Sequence, residues 1–128
     1  MSYPIVRQPD FKRKFMLFVD ASGTQVAAIL GQREDNGVEY VVEYASKMKN
    51  TAQRNYGSMK SECLGYFFGL EKFEYYLYSQ KFYAITDNSA ILGLRNMKDP
   101  KGIFSRWIVK MEEFPGMEII HRDGKNHT

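Results

Sequence analysis

Three acidic residues stand at positions where the surrounding pattern is apolar. Asp20 follows the run Phe15-Met16-Leu17-Phe18-Val19, and Asp87 follows Phe82-Tyr83-Ala84-Ile85-Thr86. Glu62 falls three residues after Met59 and four before Tyr66, the spacing that puts all three on one side of a helix. If the strands ending at Asp20 and Asp87 are parallel neighbours, all three carboxylates converge at one edge of a sheet. That edge is where open α/β sheets bind their ligands. Two carboxylates about 4 Å apart repel by roughly 4 kcal/mol at an effective dielectric of about 20. Three must therefore take up protons or hold a cation. Oxygen ligands without His or Cys favour Mg²⁺ or Mn²⁺, and paired ions of this kind drive in-line phosphodiester cleavage. Each acid alone has a plainer role: Asp20 as cap of the Ser22-Gly23 turn, Asp87 as cap of a following helix, Glu62 as partner of a helix dipole. The order strand-Asp, helix-Glu, strand-Asp is what favours the shared site.

The elements that must position these acids are legible as periodicities. Phe15–Val19 has the unbroken apolar character of a central strand covered on both faces. The turn Ala21-Ser22-Gly23 returns it to a second strand, 26–30, and the Asn36-Gly37 turn leads to a third, 39–44. These three form an antiparallel meander. The period then lengthens. With Ser58 as N-cap, Met59, Cys63, Tyr66, Phe67, Leu70, Phe73 and Leu77 recur at helical spacing, predicting about 20 residues of amphipathic helix, roughly 30 Å long. A fourth strand over 82–86, a short helix over 90–94 capped by Asn88 or Ser89, a helix over 103–114 and a last strand over 117–121 follow. The order β-β-β-α-β-α-α-β is that of one α/β domain with helices on a mixed five-stranded sheet.

Composition limits the alternatives. The chain has 128 residues, 44% of them hydrophobic, enough for one domain that buries roughly 65% of its unfolded surface. A single Cys forbids an internal disulfide, and no Cys/His cluster offers a zinc site. Apolar runs such as Tyr66–Leu70 are too short for a membrane span, and nothing near Met1 resembles a signal peptide. An intracellular protein with no membrane partner is the expectation. Eighteen Lys+Arg against fifteen Asp+Glu give a net charge of +3, too mild by itself to indicate nucleic acid. The cations are bunched, however: Lys47, Lys49, Arg54 and Lys60 lie in one stretch, and Arg95, Lys98, Lys101, Arg106 and Lys110 in another. They are either ordinary solvated surface or the walls of a phosphate-bearing groove. The aromatic residues of the helix and Trp107 read as core, and Cys63 as a buried, inert thiol. His121 reads as the end of a strand and His127 as part of the terminus, so neither enters the site.

Nearly the whole chain resembles the ribonuclease H domain of gypsy-type LTR retrotransposon polyproteins. Pro9-Asp10-Phe11 with Val19-Asp20-Ala21-Ser22 is similar to that family's opening, and Tyr44-Ala45-Ser46-Lys47 to its next block. Asn55-Tyr56 through Glu62-Cys63-Leu64, then Thr86-Asp87-Asn88, then Arg106-Trp107, and finally Ile119-Ile120-His121-Arg122 with Gly124-Lys125 follow in the family's order. The resemblance implies an RNase H-like fold and an endonuclease that hydrolyses the RNA strand of RNA–DNA hybrids during reverse transcription. It implies two Mg²⁺ ions, with Mn²⁺ as a substitute, bridged by Asp20 and completed by Glu62 and Asp87. Ser22, Asn55 and Asn88 are the candidate substrate contacts. Residues 1–14 read as a linker from an upstream reverse transcriptase domain, a partner in the same polyprotein, in the cytoplasm, a virus-like particle or the nucleus. Residues 15–128 read as the RNase H-like domain.

The departures from the family set a second expectation. A fourth acid and a closing C-terminal helix belong to the family pattern beyond the segment that Gly124-Lys125-Asn126 resembles, and this sequence ends at Thr128. Asp123 stands in place of the family's Pro and does not inherit the fourth role. The alternative function is therefore a catalytically weak or inactive RNase H-like module that binds nucleic acid or a protein, with any cleavage favouring Mn²⁺. Integrases and transposases share the chemistry but place their glutamate last, whereas Glu62 lies between the aspartates.

Overall fold

The apolar run at Phe15 becomes the middle strand of a five-stranded sheet, in the order β3-β2-β1-β4-β5. The structure is a computed structural model and describes residues 5–86 and 90–122. The strands are β1 (Phe15–Ala21), β2 (Gln25–Arg33), β3 (Glu39–Met48), β4 (Phe82–Thr86) and β5 (Met117–His121). The first three pair antiparallel, as the turn residues predict. β1 and β4 pair parallel, with Leu17 opposite Ala84, and β4 and β5 pair parallel along their full lengths. This is the adjacency on which convergence of the acids depends.

Four helices complete the described residues: α1 (Ser58–Lys72), α2 (Glu74–Leu77), α3 (Ala90–Arg95) and α4 (Ile103–Met111). α1 lies on the face of the sheet that carries Leu17, Val19 and Ala28. α3 packs against α1, and Trp107 of α4 stacks on Phe67 of α1, with ring centroids 5.4 Å apart and planes 4° from parallel. The core between them is apolar: Leu17, Val26, Leu30, Cys63, Leu70, Leu77 and Leu94 are fully buried. Side chains alternate along a strand, so Met16, Phe18 and Asp20 point to the opposite face. There Phe18 is only partly buried, with Ile29 and Ile85 beside it in a surface cavity. The expectation of equal cover on both faces of β1 is thus corrected.

Several predicted bounds also shift. β1 runs on through Asp20 to Ala21, and β2 and β3 extend each other to the pair Gln25–Met48. The single long helix is broken at Phe73, whose backbone (φ −107°, ψ 20°) leaves the helical region. The break keeps both Phe73 and Leu77 buried while Glu74 and Tyr75 face solvent. Gly57, not Ser58, occupies the N-cap, and Met59 is exposed rather than part of the core stripe. α4 stops at Met111 and tight turns carry the chain to Phe114, because the residue before Pro115 is disfavoured in helical conformation.

The leading segment is tied to the sheet. Gln32, fully buried on β2, accepts from the Asp10 N–H at 2.9 Å and donates to the carbonyls of Asp10 and Arg13 at 2.8 and 3.1 Å. No described helix is long and apolar enough to cross a membrane.

Candidate active site

Asp20 reaches the site because β1 carries it to the last residues of a strand whose parallel neighbour, β4, ends at Thr86. Glu62 reaches it because α1 begins beside that edge and runs back across the sheet. The close approach of α1 depends on Gly65 and Gly69, which sit directly over Val19 and Leu17. Asp20 is exposed and Glu62 half-buried.

Two cavities meet at these acids. One, of about 350 Å³, lies toward the face away from α1 and includes Phe18, Glu39, Thr86 and Arg122. The other, of about 430 Å³, lies toward α1 and includes Ser22, Lys49, Tyr56 and Ser61. Asp20, Glu62 and their neighbour Val19 are common to both. The strand aspartate and the helix glutamate therefore stand together at a concave edge, as their spacing predicts. Asp87 follows Thr86 in sequence and, with Asn88, lies outside the described residues. Among the described residues alone, no cluster of three or more His, Cys, Asp or Glu is assembled. The donors that do meet are carboxylates, which suits a hard divalent cation rather than a soft one.

The candidate substrate contacts fare differently. Ser22 lines the second cavity, but its hydroxyl is already engaged with the β1–β2 turn, accepting from the N–H groups of Thr24 and Gln25. Asn55 sits in a single 3-10 turn (Gln53–Asn55), exposed, donating to the Thr51 carbonyl at 3.4 Å, and does not line either cavity. Its neighbour Tyr56 does. Lys60 lies 4.3 Å from the Tyr56 ring centroid and 5.5 Å from that of Phe104, a cation between two aromatic faces beside the site.

Three polar residues of the site were not singled out by sequence reasoning: Lys49, Ser61 and Thr86 are all buried. Lys49 belongs to a basic stretch that the sequence leaves open between solvated surface and the wall of a phosphate-bearing groove, and the apolar run 39–44 stops short of it. Cys63, next to Glu62, is fully buried and donates weakly to the Ala90 carbonyl. Burial, with a smaller contribution from the Glu62 charge, pushes its thiol up to about 12. That agrees with the inert role read from the sequence.

Residues 10–114 match the family described as the RNase H-like domain found in reverse transcriptase. The Retrovirus-related Pol polyprotein from transposon 297 of Drosophila melanogaster is 32% identical over 125 residues, covering 98% of this chain and 11% of that protein. The Transposon Tf2-3 polyprotein of Schizosaccharomyces pombe is 33% identical over 132 residues, covering 99% of this chain and 10% of that protein. The chain thus spans about a tenth of the length of these relatives. Among solved structures, the foamy viral protease-reverse transcriptase in complex with dsDNA superposes with a TM-score of 0.74 at 15% identity, over 93% of this chain and 25% of that one. LC11-RNase H1 in complex with RNA/DNA hybrid superposes with a TM-score of 0.62 at 13% identity, over 90% of this chain and 89% of that one. At such identities these two show the fold, which is RNase H-like. The family match and the polyprotein relatives go further: the chain belongs to the RNase H-like domains found in reverse transcriptases.

Proposed function

We propose that this chain hydrolyses the RNA strand of RNA–DNA hybrids, as a step of retrotransposon reverse transcription of the gypsy type. The observation that carries the reading is the meeting of Asp20 and Glu62, from separate elements, in both cavities at the carboxyl edge of parallel strands. Asp20, Glu62 and Asp87 would hold two Mg²⁺ ions, or Mn²⁺ in their place. When bound, the ions supply a water activated at neutral pH and charge stabilisation of the leaving oxygen.

The chain's own residues do the positioning. Asp20 presents its carboxylate from a strand end held by pairing with Ala27 of β2, beyond Leu17 where the pairing with β4 stops and the edge opens. Glu62 presents its carboxylate from a helix wedged against that strand. Tyr56 and Lys60 flank the opening, where an aromatic face and an ammonium suit the sugar-phosphate backbone of a hybrid. Ser22, Asn55 and Asn88 remain proposed contacts to the same backbone. The two relatives above are polyproteins, and an upstream reverse transcriptase domain is the proposed covalent partner, inside the cell.

The test is hydrolysis of a labelled RNA–DNA hybrid with Mg²⁺ and with Mn²⁺. Asp20→Asn and Asp87→Asn should each lower the rate by at least about a hundredfold, the scale on which removing a charge that acts on the transition state is felt. Parent-like cleavage by either variant overturns the reading. Tight hybrid binding with no cleavage by the parent chain selects the binding-module alternative.

A further inference from the structure

A lysine ammonium is buried at the acid site, and the hydrolytic reading gives it no task. Lys49 is 3% exposed. Its backbone N–H extends the end of β3 by pairing with the Thr24 carbonyl at 2.8 Å, which turns the side chain inward. The Nζ atom donates to the Ser22 carbonyl at 2.5 Å and to the Ser61 hydroxyl at 2.7 Å. Ser22 is two residues beyond Asp20, and Ser61 immediately precedes Glu62. One ammonium therefore joins the strand end that carries the aspartate to the helix turn that carries the glutamate.

The charge is the point that hydrogen bonding leaves unexplained. Both acceptors are neutral, and removing an ammonium from water is costly unless an opposite charge is near. The acids that share the lining of its cavity are Asp20 and Glu62, so theirs are the negative charges that face it across that space. The relation works in both directions. A fixed cation beside two carboxylates offsets part of their mutual repulsion when no metal is bound. It also repels an arriving dication. A neutral side chain of the same length would tie the two elements without doing either.

We propose that Lys49 is a positioning residue that places a positive charge at the acid site, held between the elements bearing Asp20 and Glu62, and that it limits how tightly their carboxylates take up divalent cations. The proposal rests on the metal-dependent reading above. It predicts a sign that a merely structural tether does not. Loss of a tether loosens the site and weakens metal binding, whereas loss of the charge strengthens it.

The experiment is calorimetric titration of the folded chain with Mn²⁺ alone, alongside thermal melts in EDTA and in saturating Mg²⁺. Lys49→Gln keeps donors but removes the charge. It should bind Mn²⁺ about tenfold more tightly, the scale of one unit charge acting on a dication across a partly hydrated site. Its melting temperature should fall in EDTA and recover in Mg²⁺ more than that of the parent. Lys49→Arg keeps the charge and should bind within about twofold of the parent. Lys49→Met serves in place of the glutamine variant if the latter does not fold. Unchanged or weaker Mn²⁺ binding in the neutral variant overturns the proposal, as does an arginine variant that behaves like the neutral one. Asp20→Asn separates the two readings. If it takes up Mn²⁺ as the parent does, the metal-binding reading has failed; if it loses uptake while Lys49→Gln is unchanged, only the role of Lys49 has.

Discussion

A Cβ placed on Gly65 would stand 2.2 Å from the Cγ1 atom of Val19. The helix bearing Glu62 thus sits on the strand bearing Asp20 at a distance that only glycine allows. Val19 is β-branched and stiff at χ1, so it cannot swing aside. Gly65→Ala should push α1 off β1 and lower stability by about 1–3 kcal/mol, as overpacking of a tight core does. At Gly69 the nearest atoms are Leu17 Cδ1 at 2.9 Å and Ala28 Cβ at 3.0 Å, and a leucine tip can give. Gly69→Ala should cost less, part of the strain being offset by the better helix propensity of alanine. Urea unfolding of both variants checks the ranking. Equal stability of Gly65→Ala and the parent would show that the helix rides higher than described.

Cys63 should be silent toward alkylation. Its thiol is fully buried and pushed up to about 12, so at pH 8 almost no thiolate exists in the folded chain. Iodoacetamide should label it only after denaturant is added. The same shift has a consequence at high pH. The folded value lies above the unfolded one, so the neutral thiol's contribution to stability is complete below about 9 and is lost as pH rises toward about 12. Cys63→Ala should therefore show a shallower loss of stability over that alkaline range than the parent. A parallel decline in the two proteins counts against the assignment.

Glu39 and Arg122 join the two edge regions of the sheet. Arg122 donates to both carboxylate oxygens, at 2.7 and 3.1 Å, and Arg33 adds a third contact at 2.8 Å. The Arg122 hydrogen bond is the main cause of a lowered Glu39 carboxyl, with burial opposing it and Arg33 adding to it. A lowered folded value means the contribution to stability is present above the unfolded carboxylate range and is lost as pH falls through the folded value. The pair is partly solvated, so about 0.5–1 kcal/mol is the scale to expect. A double-mutant cycle with Glu39→Gln and Arg122→Gln at pH 7 should return a coupling of that size, shrinking as pH falls below the ordinary carboxylate range and in high salt. Coupling that is indifferent to pH would mean the contact is packing, not charge.

The sequence made the site's framework readable where one physical effect dominated. β4 and β5 have the bounds that their short apolar runs predict, because burial alone sets them. Gly37 takes the positive φ of +89° that the Asn-Gly turn demands. The placement of Asp20 and Glu62 together followed from period and order. What was hidden depended on tertiary contact. β2 and β3 outrun their apolar cores because each supplies hydrogen bonds to the other's polar end. The break at Phe73 answers to where the core lies beneath the helix. Lys49 and Gln32 carry polar side chains in polar surroundings of the sequence, and only the folded chain reveals that both are buried and fully employed in tying segments together.

The meeting of Asp20 and Glu62 also has a thermodynamic signature that does not depend on turnover. Like charges brought together by the fold destabilise it until a cation arrives. In EDTA, Asp20→Asn and Glu62→Gln should each melt at a higher temperature than the parent, since removing one carboxylate relieves the repulsion while leaving the shape nearly unchanged. In Mg²⁺ the order should reverse: the parent gains stability by mass action as the ion binds the folded state alone, and the variants gain little. The crossing of the two series is the measurement to make. If instead the two variants gain as much stability in Mg²⁺ as the parent does, the site is not one that the fold holds ready for metal.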